Sequence, residues 1–244
     1  AVGDPRALGL AAWRARFEAA PSTAPLHRSD EDAPAFWLSS SGTTGKPKGI
    51  VHAHRSVAHA HVFARDVLGA TPADIFYSTS KLFFAYPLAN ALFAGLRLGA
   101  SVVLDAEWPN PERVARNVAL HRPTLLFSVP TLYRRLTEAR VPFASVRRAV
   151  SAGEACPADV SEGWLRQTGL SLVNGYGTTE TLALMLYRTA DMPGIRPTPL
   201  TQVRVDADEG GRDGAVRLWF SHPGVALGYS RVVTHDSARF DGNA

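Results

Sequence analysis

Lysine is almost missing from this chain of 244 residues: of its 26 lysines and arginines only Lys46, Lys48 and Lys81 are lysine. The formal net charge is +4, and the arginines stand singly or in pairs with acids between them. No basic run or stripe forms, so the broad phosphate-backbone footprint of a nucleic-acid binder is not expected. The single cysteine, Cys156, has no partner for a disulfide within the chain and excludes a cysteine-rich zinc site. No apolar run approaches the ~20 residues that cross a bilayer, so no membrane role is expected. The first residues lack a secretory-signal pattern, which makes a reducing, cytoplasmic setting the expectation. The chain begins at Ala1, compatible with processing or with a cut-out fragment.

What remains is ordinary globular material, 45% hydrophobic and 20% charged, enough for one large or two modest domains. Residues 1–34 read as an N-terminal helical stretch followed by a polar, proline-containing linker. From residue 35 to 190 strand-like runs alternate with helix-length segments. The strand candidates are Ala35–Ser40, Ile75–Ser80, Ser101–Leu104, Thr124–Val129, Arg148–Ser151 and Leu170–Asn174. The helix candidates are 55–69, 86–98, 110–121, 130–140 and 157–168, with Pro111 and Pro157 as start signals and Gly99 and Gly169 as stops. That alternation predicts an α/β fold of layered, mostly parallel sheets flanked by helices. Residues 191–244 read as β-rich, with strand candidates Gln202–Asp206 and Ala215–Ser221 around a turn-rich stretch, a small C-terminal antiparallel unit.

Two of the three lysines fall in one loop, Ser39-Ser-Ser-Gly-Thr-Thr-Gly-Lys-Pro-Lys-Gly49, directly after a strand candidate. Its hydroxyls donate, its glycines let backbone N–H groups approach an oxyanion closely, and its lysines add positive charge. A flexible Ser/Gly linker is the plainer reading of the same composition. A Walker A loop does not fit, because Gly42 and Gly45 are too close and Pro47 follows Lys46.

Ser40 to Gly49 resembles the signature of the adenylate-forming superfamily, which spans acyl- and aryl-CoA synthetases, peptide-synthetase adenylation domains and luciferases. Further segments agree in family order. Asn174-Gly-Tyr-Gly-Thr-Thr-Glu180 is similar to the second nucleotide motif, YGxTE, and Ser151-Ala-Gly-Glu-Ala155 to the segment lining adenine and the acyl group. Lys81-Leu-Phe-Phe-Ala-Tyr-Pro-Leu88 resembles the acyl-pocket motif of benzoate- and aminobenzoate-CoA ligases, with Pro87 where glycine is usual. The resemblance implies the large N-terminal domain of that superfamily.

It also implies a division of roles. Ser40, Ser41, Gly42, Thr43, Thr44, Gly45, Lys46 and Lys48 would hold the phosphates of ATP. Gly153, Glu154, Asn174, Gly175, Tyr176, Gly177, Thr178 and Thr179 would hold the adenylate, with Tyr176 stacking on adenine. Phe84, Ala85, Tyr86, Ser151 and Gly153 would line the acyl pocket, while Phe83 packs a core. Lys48, Thr179 and Glu180 would be catalytic, Glu180 holding Mg²⁺. The implied substrate is a small aromatic carboxylic acid, activated as its adenylate and passed to CoA or to the phosphopantetheine arm of a carrier protein.

Other features have plainer readings. His52, His54, His59 and His61 invite a zinc site, but 59 and 61 on a helix would point about 200° apart. Cys156 has no neighbouring base and reads as structural. Family members continue with an aromatic-Arg-Thr-Gly-Asp motif for the ribose, a hinge and a mobile domain carrying a lysine, whereas this chain ends at Ala244. It is therefore expected to be the central part of a ligase. A truncated, non-catalytic member that binds nucleotide or acid is the alternative.

Overall fold

A computed structural model describes residues 14–15, 17–21, 23, 28–40, 48–206 and 216–230. The chain divides into two compact units, Ala1–Asp30 and Glu31–Ala244. Helical backbone in the first lies at residues 14, 15, 17 and 18, where Arg14 Nε donates to Glu18 Oε1 at 2.8 Å.

The second unit contains three sheets among its described residues. Seven strands form the largest, in the order β4-β3-β5-β6-β7-β8-β9. They are β3 (Ile75–Ser78), β4 (Ser101–Val103), β5 (Leu125–Ser128), β6 (Arg148–Ser151), β7 (Leu172–Tyr176), β8 (Leu186–Arg188) and β9 (Arg196–Pro197). Strands β4 to β7 pair in parallel, and β8 and β9 close the edge antiparallel.

The parallel strands are apolar at successive positions because both of their faces are covered. Phe76, Leu125, Phe127, Val150 and Val173 point to one side, into a core with Phe63, Leu68 and Ala91. Tyr77, Leu126, Ala149 and Leu172 point to the other, onto Val114, Leu132, Tyr133, Leu136 and Trp164. Each fully buried large side chain contributes roughly 1.5–3 kcal/mol, so this two-sided packing carries the sheet.

The covering helices start and stop where local chemistry dictates. Helix Pro111–His121 has Pro at its first turn, and its N-cap Asn110 accepts the Arg113 amide at 2.8 Å. Helix Ala158–Thr168 follows Pro157 and ends on left-handed Gly169 (φ 73°). Helix Pro130–Glu138 covers the same face as these two. The predicted 86–98 segment is helical over Ala85–Pro87, Leu88–Phe93 and Ala94–Arg97, with the middle stretch wound as a π-helix. There the Asn90 side chain donates to the Tyr86 carbonyl at 3.0 Å. The predicted 55–69 helix is broken into His54–His59 and Val62–Asp66.

The second sheet is β1 (Pro34–Ser40), β2 (Lys48–Ala53) and β12 (Gly228–Tyr229), all antiparallel. Neither β2 nor β12 is among the strands expected from sequence. The third pairs β10 (Gln202–Asp206) with β11 (Arg217–Ser221), and the turn-rich stretch 208–214 between them lies outside the described residues.

Candidate functional site

Strands β1 and β2 form a hairpin in which Ser40 faces Lys48. Six of the expected phosphate-loop residues, Ser41, Gly42, Thr43, Thr44, Gly45 and Lys46, lie between them and outside the described residues. The strand period places Lys48, Ile50 and His52 on one face of β2, and all three are buried. Tyr229 on β12 stands opposite Ile50, so it shares that face.

The face lies against the loop after β7. His52 Nε2 is 3.0 Å from the carbonyl oxygen of Thr179, and the Ala226 amide donates to the carbonyl of Glu180 at 2.8 Å. Tyr229 Oη donates to Glu180 Oε1 at 2.9 Å, while Lys48 Nζ sits 5.4 Å from the centroid of the same ring. Burial, then the Glu180 carboxylate, push the Tyr229 hydroxyl well above the usual phenol range, which keeps it a donor. Burial likewise lowers the His52 imidazole. The structure thus brings the strand of Lys48 to the Thr179–Glu180 loop, which lies far from it in sequence.

Asn174, Gly175 and Tyr176 end β7, followed by the turn through Gly177. A Cβ at Gly177 would lie 2.6 Å from the backbone oxygen of Ala183, so only glycine fits this turn unshifted. Thr181 Oγ1 accepts the Thr178 amide at 2.9 Å, which holds the loop from within.

Two cavities open here. One, of about 620 Å³, is bordered by Gly153, Glu154, Asn174, Gly175, Tyr176 and Gly177. The Tyr176 ring is 51% exposed and leans on Phe220 at 6.2 Å, offering a flat surface to a planar ligand. The other, of about 350 Å³, is bordered by Phe84, Ala85, Tyr86, Gly153, Thr178 and Thr179. Gly153, Glu154 and Gly177 line both. Gly153 has φ 87°, a left-handed conformation that turns the chain off β6 between the cavities. The exposed Glu154 accepts from Thr131 Oγ1 at 2.6 Å, tying this turn to the start of helix Pro130–Glu138.

Two expectations need correction. Ser151 is fully buried in β6 and lines neither cavity; the chain reaches the cavity one residue later, at Ala152. Phe83 does not pack a core: it is 60% exposed, with its ring 4.5 Å from Phe84 and 6.4 Å from Trp108. Tyr86 serves both pocket and core, since it lines the cavity while its hydroxyl donates to the Val150 carbonyl at 2.9 Å. Cys156 is half-buried and its thiol is pushed up by burial, opposite to what a nucleophile needs.

Among the described residues, no three His, Cys, Asp or Glu side chains converge on a metal position. His52 lies in β2, and His54 begins the following helix. Glu180, half-buried and anchored through Oε1, is a single carboxylate whose anchor, Tyr229, also faces Lys48. That donor set suits Mg²⁺ carried on nucleotide phosphates, which takes one or two carboxylates rather than a protein cage.

A family model described as AMP-binding enzyme matches residues 4–230. The chain belongs to the AMP-binding enzyme family. Among its relatives in that family, the 3-hydroxybenzoate–CoA ligase of Aromatoleum sp. (strain CIB) is 42% identical over 187 residues, covering 73% of this chain and 36% of that protein. The benzoate–CoA ligase of Thauera aromatica is 36% identical over 252 residues, covering 98% of this chain and 46% of that protein. The solved benzoate CoA ligase from Burkholderia xenovorans LB400 superposes with a TM-score of 0.79 at 32% identity, over 90% of this chain and 46% of its own. The chain thus spans less than half the length of these relatives.

Tyr229 and His52 are the site residues that motif reading did not find. The β-branched pair Ile50-Val51 carried a signal for β2, whereas nothing local marks β12 as its partner.

Proposed function

We propose that this chain is the nucleotide- and acid-binding part of an ATP-dependent aromatic-acid ligase. The observation that carries this reading is the shared wall of the two cavities at Gly153, Glu154 and Gly177. An adenylate laid across that wall would put its purine against Tyr176 and its aromatic acyl group between Phe84 and Tyr86. The acid preference follows the ring-lined cavity and the relatives named for benzoate and hydroxybenzoate.

In the first half-reaction a carboxylate oxygen of the acid attacks the α-phosphorus of ATP, and the bond to the β-phosphate bridging oxygen breaks to release pyrophosphate. The attacking carboxylate is already ionised, so no general base is needed. Catalysis then rests on positioning and on offsetting phosphate charge. Lys48 supplies a buried cation, Ser40 through Lys46 the donors of the phosphate loop, and Thr179 a donor to the α-phosphate. Asn174, Gly175 and Thr178 shape the nucleotide side. Mg²⁺ held by Glu180 would neutralise phosphate charge when bound. In the second half-reaction a thiol sulfur attacks the acyl carbon and AMP leaves; the thiol proton passes to solvent. The acceptor is CoA or a carrier-protein thiol, and we place the reaction in the cytoplasm, where ATP and CoA are supplied.

The test is acid-dependent exchange of labelled pyrophosphate into ATP by the intact protein, with benzoate-type acids. Exchange with wild type and its loss in Glu180→Gln is the expected result. Absence of exchange alongside retained acid binding would replace this reading with a non-catalytic binding module.

A further inference from the structure

We propose that Tyr229 is a positioning residue that couples the cation of the phosphate loop to the carboxylate of the second motif. The proposal rests on the reading of Glu180 and Lys48 given above and goes beyond it. One side chain touches both: the hydroxyl donates to Glu180 Oε1 at 2.9 Å, and the ring lies 5.4 Å from Lys48 Nζ.

This arrangement follows from strand register. Tyr229 pairs with Ile50, and Lys48 lies two residues before Ile50 on the same strand, so the ring and the ammonium are diagonal neighbours on one face. The register is pinned on both sides of Tyr229. The Leu227 amide donates to the Val51 carbonyl at 2.8 Å and the Ser230 amide to the Gly49 carbonyl at 2.7 Å. A one-residue slip would turn the ring to the opposite face and lose both contacts. The Glu180 backbone is held by the same segment, through the Ala226 amide at 2.8 Å.

A carboxylate bound through one oxygen presents the other in a restricted orientation, and partners of this kind tune ligand affinity for a metal. The ring face meanwhile attracts the ammonium electrostatically. Tyr229 therefore fixes where the two opposite charges of the site stand relative to each other. A bulky tyrosine that merely filled the sheet would do neither.

The two contacts separate by substitution. Tyr229→Phe keeps the ring and removes the hydroxyl; Tyr229→Leu removes both. The probe is Mn²⁺ titrated into the ATP-bound intact protein and read by electron paramagnetic resonance, beside pyrophosphate exchange and thermal melting. Tyr229→Phe is expected to melt with wild type, to weaken Mn²⁺ by about 10-fold, and to leave the KM for the acid unchanged. Tyr229→Leu should in addition raise the KM for ATP by about threefold. In a Glu180→Gln background Tyr229→Phe should weaken Mn²⁺ no further, because the two residues act as one unit. Unchanged Mn²⁺ affinity in Tyr229→Phe, or full additivity with Glu180→Gln, overturns the proposal. A wild type that binds ATP and Mn²⁺ without exchanging pyrophosphate overturns the proposed reaction instead, and the Mn²⁺ titration still decides the role of Tyr229.

Discussion

His52 donates from Nε2 to the carbonyl oxygen of Thr179 across 3.0 Å, a bond that joins a residue of β2 to the loop following β7. The acceptor is a carbonyl, so the ring must carry its proton on that nitrogen. Phe36 stacks on the imidazole at 5.1 Å and the ring is fully buried, which holds the neutral form in place. The loop that presents Thr179 and Glu180 is thereby registered against the strand that presents Lys48.

Removing that bond should be costly for both stability and function. His52→Ala leaves the Thr179 carbonyl without this donor and opens a cavity beside Phe36, a loss of about 2–4 kcal/mol. Urea unfolding measures it, with a rise in KM for ATP expected in pyrophosphate exchange. A loss below about 1 kcal/mol with unaltered exchange would show that the bond does not hold the loop.

Acid should weaken the fold through a second buried histidine. The Gly224 amide donates to His222 Nδ1 at 2.8 Å, which requires an unprotonated nitrogen there. Burial, with His59 adding a smaller effect, depresses this imidazole to about 4 from 6.5. The unfolded chain therefore takes up the proton first, and stability present above pH 6.5 falls as pH drops toward about 4. The decline approaches roughly 1.4 kcal/mol per pH unit. Urea unfolding at several pH values should show this slope in wild type and a shallower one in His222→Gln. Equal slopes would assign the acid sensitivity elsewhere.

The aromatic cavity gives a selective prediction. Phe84→Ala removes a ring from its wall and should raise the KM for benzoate about 10-fold in pyrophosphate exchange, while the KM for ATP stays near wild type. Phe84 is 52% exposed, so the fold should tolerate the change. An equal rise in both constants would mean that the ring supports the nucleotide side as well.

Much of the fold was legible because its signals are local. Pro111, Pro157 and Gly169 act on the backbone within one turn of where they stand, and the parallel strands announce themselves by unbroken apolar runs such as Leu125 to Phe127. The strand Arg148–Ser151 and the strand Gln202–Asp206 were legible to the residue. Two-residue strands such as β9 and β12 carry no periodicity and exist only because a partner edge is waiting for them. The π-wound stretch Leu88–Phe93 looks like ordinary helix in its residue pattern.

The candidate site divides along the same line. Its motif residues were legible by themselves, since glycine at 153 and 177 answers a backbone demand and the loop around Lys48 concentrates the chain's rare lysines. Hydrophobicity alone could not say that Phe83 faces outward while Ser151 is sealed in a strand, because burial depends on what arrives from elsewhere in the chain. The sequence by itself determined which chemical groups are present and which short segments carry them. Only the tertiary structure decided that His52 and Tyr229 bind the Thr179–Glu180 loop and that Lys48 meets Glu180 across one tyrosine ring. Those pairings join residues from 49 to 181 positions apart, and no local rule of backbone or side chain reaches that far.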